Sequence, residues 1–90
     1  MDKTEIAFSR KFLKSYKKVP KKIKNTFKNR LELFIKEPLS PVLNNHSLKG
    51  KFKNRRSINI TGDWRAIYYS EKTDRKIVFE EIGTHSQLYK

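Results

Sequence analysis

The stretch that most limits how this chain can fold lies between two prolines. From Pro20 to Pro38 the apolar residues Ile23, Phe27, Leu31, Phe34 and Ile35 recur at i, i+4, i+8, i+11 and i+12, one stripe along an otherwise charged segment. Pro20 suits a first helical turn, where its missing N–H has no intrahelical partner to lose, and the residue before Pro38 is pushed out of the α region. The spacing therefore predicts a helix that begins after Pro20 and stops by Glu37. A helix with one apolar stripe has to lay it on another element. In a chain of 90 residues that element belongs to the same small core.

Upstream, Ser9 is a reasonable N-cap for a first helix that carries Phe12, Leu13 and Tyr16 and ends near Val19. Lys3 to Phe8 reads as a strand from Ile6 and Phe8. Downstream, Pro38 to Arg56 holds an Asn-Asn pair, a glycine and five cations, and reads as an irregular connection or a short strand leading into a sheet. Ser57-Ile58-Asn59-Ile60 then alternates polar and apolar, Thr61-Gly62-Asp63 is a turn, and Trp64 to Tyr69 is aromatic and β-prone. Together these describe a hairpin. Asp74 marks a second turn and Lys76 to Ile82 a further strand. The predicted layout is β-α-α-β-β-β: one α+β domain over residues 1–90, with two N-terminal helices packed on a mainly antiparallel twisted sheet. Trp64, Tyr68 and Phe79 read as sheet core. Ile58 and Ile60 face one side of their strand, and Ser57, Asn59 and Thr61 the other. With the helices on the apolar side, the polar side is expected to stay open beside the acid-free basic run Lys49 to Arg56.

Lys and Arg number 22 against 9 Asp and Glu, a formal net charge of +13 at pH 7. A self-repulsion of that size is usually kept for a polyanionic partner, and nucleic acid leads, with a merely solvated basic surface as the plainer reading. A membrane surface suits it less, because the basic stretches lack a wide apolar face, and no apolar run approaches the roughly 20 residues of a membrane span. Cysteine is absent, which excludes a disulfide framework and a thiolate metal site. The opening Met1-Asp2-Lys3-Thr4-Glu5 has no basic region followed by an apolar stretch, so a soluble, cytoplasmic protein is expected. Three glycines cannot build a phosphate loop, and no serine elbow is present, so kinase, NTPase and serine-hydrolase chemistry fall away.

Two histidines remain, His46 and His85, both in polar, loop-like sequence. A histidine there is most often a plain surface residue. Two beside a basic groove invite another reading, since an imidazole titrates near neutrality and RNA cleavage by its own 2′-hydroxyl needs a proton moved at both the nucleophile and the leaving oxygen. Asp63 adds a carboxylate, which on sequence alone reads first as a turn former bonding its own backbone. Neither an H-x3-H pair nor an HExxH motif supports a metal site, and no metal or cofactor is expected. Tyr89 reads either as a tail residue or as an aromatic that stacks on a base.

Three patterns carry a family resemblance: His46-Ser47-Leu48-Lys49-Gly50, Asp63-Trp64-Arg65-Ala66-Ile67-Tyr68, and Gly83-Thr84-His85-Ser86-Gln87-Leu88-Tyr89. In their order and spacing they resemble the RelE/ParE toxin superfamily, and within it the YafQ-type branch, over essentially the whole chain. The resemblance implies a RelE-like fold and a type II toxin: a metal-independent endoribonuclease that cuts mRNA in the ribosomal A site and is silenced by a cognate acidic antitoxin. Carried over by position, it makes His46, Asp63 and His85 catalytic, with His85 the general acid and His46 or Asp63 serving the 2′-hydroxyl. Tyr89 matches a C-terminal aromatic, and Lys49, Lys51, Arg56 and Arg65 are expected to bind RNA phosphates. Asn59 stands where YafQ-like members have a further histidine, and is expected to orient RNA without titrating. The toxin is expected to be a monomer when free and a hetero-oligomer with its antitoxin. Two alternatives come with the resemblance, a ParE-like gyrase poison and a catalytically weak relative that only binds nucleic acid or protein.

Overall fold

A computed structural model describes residues 4–71 and 75–89, which leaves Lys3 and the turn at Asp74 outside the described residues. The elements in chain order are β1 (Glu5–Phe8), α1 (Arg10–Tyr16), α2 (Lys21–Lys36), β2 (His46–Ser47), β3 (Arg56–Asn59), β4 (Trp64–Glu71), β5 (Lys76–Thr84) and α3 (His85–Leu88), with single 3-10 turns at Pro41–Leu43 and Gly50–Phe52. The five strands form one sheet in the order β1-β5-β4-β3-β2. Among the described residues only the β1–β5 pair is parallel. The α+β architecture and the mainly antiparallel sheet are as the sequence predicts, and β2 realises the short strand allowed between Pro38 and Arg56.

α1 begins where the capping chemistry predicts. The Ser9 hydroxyl accepts from the Phe12 N–H at 3.0 Å and donates to the Glu80 carbonyl at 3.0 Å, so one side chain starts α1 and ties it to β5. α1 ends at Tyr16, three residues before the expected Val19. The chain tightens instead through i+3 bonds from Lys18 to Ser15 and from Val19 to Tyr16, because Pro20 keeps its predecessor out of the α region. Val19 is still buried, while Leu13, rotated about 100° from Phe12, is half exposed and leaves the expected stripe. Pro20 is the N-cap of α2 and not a residue of its first turn. Phe27 and Phe34 are buried and Ile23 and Leu31 partly so, but Ile35 is 52% exposed at the edge of the stripe. Ser9→Ala is expected to cost about 0.5–2 kcal/mol of stability, measured by denaturant unfolding.

The main core fills the space between the helices and one sheet face, with Phe79 at its centre and fully buried. Tyr68 belongs to it as expected, and Trp64 packs partly buried against it. Among the described residues no helix is long and apolar enough to cross a membrane.

The other face of the hairpin corrects an expectation. It is not open: Ser57 is completely buried, and Ile67, its partner across the ladder, forms a second small core with Phe52 and Leu88, flanked by Leu48 and Tyr89. The cover comes from the C-terminus, a segment whose polar sequence suggests a loop. β5 runs on through Gly83 and Thr84, which pair with Arg65 and Trp64, and the chain then turns into α3. A reciprocal capping box between Thr84 and Gln87 starts that turn and swings Leu88 back onto the sheet. One apolar position on β4 is enough to draw Phe52 and Leu88 over a face that a two-sided pattern marks as polar.

Candidate active site

A cleft of about 380 Å³ lies at the margin of this second core, lined by Asn44, His46, Leu48, Arg65, His85 and Tyr89. Two segments that look like loops in sequence supply the imidazoles. His46 is in strand β2, across the ladder from Ser57, and His85 is the first residue of α3. Both are exposed.

His46 Nδ1 lies 2.8 Å from the Asn44 carbonyl. A carbonyl oxygen only accepts, so Nδ1 carries a proton, and Nε2 is the nitrogen left to exchange one. Asn44 reaches this position in the left-handed region, at φ 46, which asparagine tolerates better than most residues. Neither Asn44 nor Leu48 is among the site residues expected from sequence, although the Asn44-Asn45 pair before a histidine is the one local signal for such a turn.

His85 is fixed from three sides. Its N–H donates to the Asp63 carbonyl at 2.9 Å, its own carbonyl accepts from the Tyr89 N–H at 3.0 Å, and its ring packs on the Tyr89 ring with centroids 4.8 Å apart. Tyr89 in turn meets Phe52 edge-on at 5.9 Å, so it is a packed wall of the cleft and not a loose tail. Arg65 donates from Nη1 to the Gly62 carbonyl at 3.0 Å and to the Thr61 carbonyl at 3.3 Å. These bonds hold the guanidinium at the hairpin turn, at the edge of the cleft that Arg65 lines, and use only Nη1 among its donors.

The other expected site residues lie apart from the cleft wall. Asp63 is exposed in the β3–β4 turn, and the contact it makes to the site is through its main chain to His85. Lys49 and Lys51 are exposed on the segment that follows Leu48, with Lys51 Nζ 5.1 Å from the Phe52 ring. Asn59 is half-buried across the ladder from Arg65, and its Oδ1 is buried without a partner among the described residues. Arg56 points to the helix side, lining a separate cavity with Phe34 and Tyr68 and bonding Asn45. Arg55 is likewise engaged, donating to Glu80 at 2.6 Å and covering the Tyr69 ring at 4.5 Å, and the Glu80 hydrogen bond pushes its pKa up. The basic run thus divides into exposed lysines and partly buried arginines held by bonds to other side chains. Among the described residues no group of three His, Cys, Asp or Glu side chains is arranged to hold a metal ion.

The sequence profile of the family described as bacterial toxin of type II toxin-antitoxin system, YafQ, matches residues 4–90. The chain belongs to the YafQ family of type II toxins. It is 33% identical over 93 residues to the mRNA interferase toxin YafQ of Escherichia coli K12, covering 99% of each chain. The crystal structure of YafQ from Escherichia coli BL21(DE3) superposes with a TM-score of 0.80 at 30% identity, over 98% of this chain and 100% of that one. The Escherichia coli DinJ-YafQ toxin-antitoxin complex matches with a TM-score of 0.78 at 30% identity, over 98% and 99% of the two chains. Each of the three sequence patterns that carry the family resemblance contributes to the cleft: His46 and Leu48 from the first, Arg65 from the second, His85 and Tyr89 from the third.

Proposed function

We propose that this YafQ-family toxin is an endoribonuclease that cuts mRNA in the ribosomal A site, by attack of a 2′-hydroxyl on the adjacent phosphate. The observation that carries the reading is the meeting of His46, His85, Arg65 and Tyr89 on one cleft. His46 takes the 2′-hydroxyl proton on Nε2, the nitrogen its bond to Asn44 leaves to exchange one. The 2′-oxygen bonds to phosphorus, the bond to the 5′-oxygen breaks, and His85 gives that oxygen its proton. The products are a 2′,3′-cyclic phosphate and a free 5′-hydroxyl. Arg65, held by two turn carbonyls, stabilises the charge that grows on the phosphate oxygens. Tyr89 stacks on a base beside His85, Lys49 and Lys51 hold flanking phosphates, and Asp63 is a positioning residue that acts through its carbonyl on His85.

With +13 net charge, the natural inhibitor is an acidic antitoxin whose segment folds over the basic surface. The reaction needs ribosomes, which puts the protein in the cytoplasm. No step in this scheme uses a metal ion.

The test is single-turnover cleavage of mRNA on programmed ribosomes, with product ends analysed. Cleavage that yields cyclic-phosphate ends and persists in EDTA at levels that leave ribosomes intact is the expected result. Intact mRNA together with trapped gyrase–DNA complexes would favour gyrase poisoning, and intact mRNA with ribosome binding alone would favour a non-catalytic binder.

A further inference from the structure

Arg56 turns its charge away from the cleft, yet it is bonded to the turn that carries His46. Its Nε donates to Asn45 Oδ1 at 2.7 Å and its Nη2 to the Asn45 carbonyl at 3.3 Å. Asn45 Nδ2 donates onward to the Pro38 carbonyl at 2.9 Å and to the Tyr68 hydroxyl oxygen at 2.8 Å. Both polar atoms of the Asn45 side chain and its main-chain carbonyl are therefore engaged. On either side of Asn45 stand Asn44, whose carbonyl accepts the His46 Nδ1–H, and His46 itself. The sheet gives this turn little support, because β2 is only two residues long. A planar guanidinium gripping one residue through two donors is a rigid anchor of the kind a short edge segment lacks.

We propose that Arg56 is a positioning residue for cleavage: it clamps Asn45, so that the Asn44 carbonyl stays on His46 Nδ1 and Nε2 stays aimed into the cleft as the proton acceptor. Arg56 is then no phosphate contact, although it ends the basic run. The inference rests on the reading of His46 as the base.

The test combines ring ¹⁵N spectra of His46 in the free toxin with single-turnover cleavage across pH, for the wild type, Arg56→Gln, Arg56→Lys, Asn45→Ala and the Arg56→Gln/Asn45→Ala pair. Arg56→Gln is expected to convert a single Nδ1–H tautomer into a mixture. It should lower the saturating rate toward 10²-fold, about the cost of an ångström of misplacement, while the toxin concentration giving half-maximal rate is unchanged. Arg56→Lys should recover part of the rate, since an ammonium can still donate to Asn45 Oδ1. Asn45→Ala keeps the arginine charge and removes its shorter bond, leaving only the one to the carbonyl of residue 45, so it should show the same signature, and the pair should lose no more than the more damaging single change. Should Arg56→Gln fail to fold, Asn45→Ala alone carries the test. A salt-dependent rise in the half-maximal concentration, with the saturating rate and His46 tautomer intact, would instead make Arg56 a phosphate contact and overturn the proposal, as would no change in either readout. A wild type that never cleaves RNA defeats the proposed function, and the spectra still decide whether Arg56 sets the His46 tautomer.

Discussion

Replacing His85 by alanine is expected to lower the single-turnover rate of mRNA cleavage on the ribosome by about 10²–10⁴-fold, the usual worth of one general acid or base. The change is clean because what holds this residue in place is main-chain chemistry. Its N–H bonds the Asp63 carbonyl, and the capping box of α3 is formed by Thr84 and Gln87, so neither anchor uses the imidazole. The side chain is exposed, and removing it should change stability by no more than about 0.5 kcal/mol. The ring contact with Tyr89 is lost, but Tyr89 keeps its packing on Phe52. Quench-flow measurement on programmed ribosomes, alongside an unfolding curve, separates chemistry from stability. A folded His85→Ala protein that cuts at the wild-type rate would remove His85 from the mechanism.

The largest effect on stability is expected at Phe79. Its ring centroid lies 5.5–6.1 Å from those of Tyr68, Phe27, Phe34, Phe8 and Phe12, so this one side chain joins α1, α2, β1 and β4. It is fully buried. Phe79→Ala should therefore cost about 3–5 kcal/mol, the transfer loss plus a cavity that five other rings cannot collapse to fill. Small domains possess only about 5–15 kcal/mol in total, so the variant should lose more than about 10 °C of Tm. Calorimetry or denaturant unfolding decides it. A loss below about 1 kcal/mol would mean that the aromatic cluster is not the core that joins helices to sheet.

Elements that rest on short-range geometry are legible in the amino-acid sequence. The stripe Ile23, Phe27, Leu31 and Phe34 depends only on the 100° advance of a helix, the Ser9 cap on one hydroxyl reaching its own third neighbour, and the hairpin on alternation around Thr61-Gly62-Asp63. The signature of α3 is equally local, a Thr84 three residues before Gln87, but it is masked by Gly83 and by the polar residues around it. The three patterns that become cleft walls are also visible as short runs of residues. Sequence alone thus specifies the two longer helices, the hairpin, the aromatic core and the supply of imidazoles and cations. It does not specify their arrangement. His46 and His85 are 39 residues apart, and they meet because β2 pairs with β3 while β5 carries α3 back beside β4. The same pairing turns Arg56 away from the cleft, and the burial of Ile67 draws Phe52 and Leu88 over a strand face whose polar pattern predicts open water. Local periodicity reports which way a side chain leaves its own backbone. What arrives from far along the chain to meet that side chain is a matter of tertiary packing, because burying apolar surface there outweighs the pattern of any single strand.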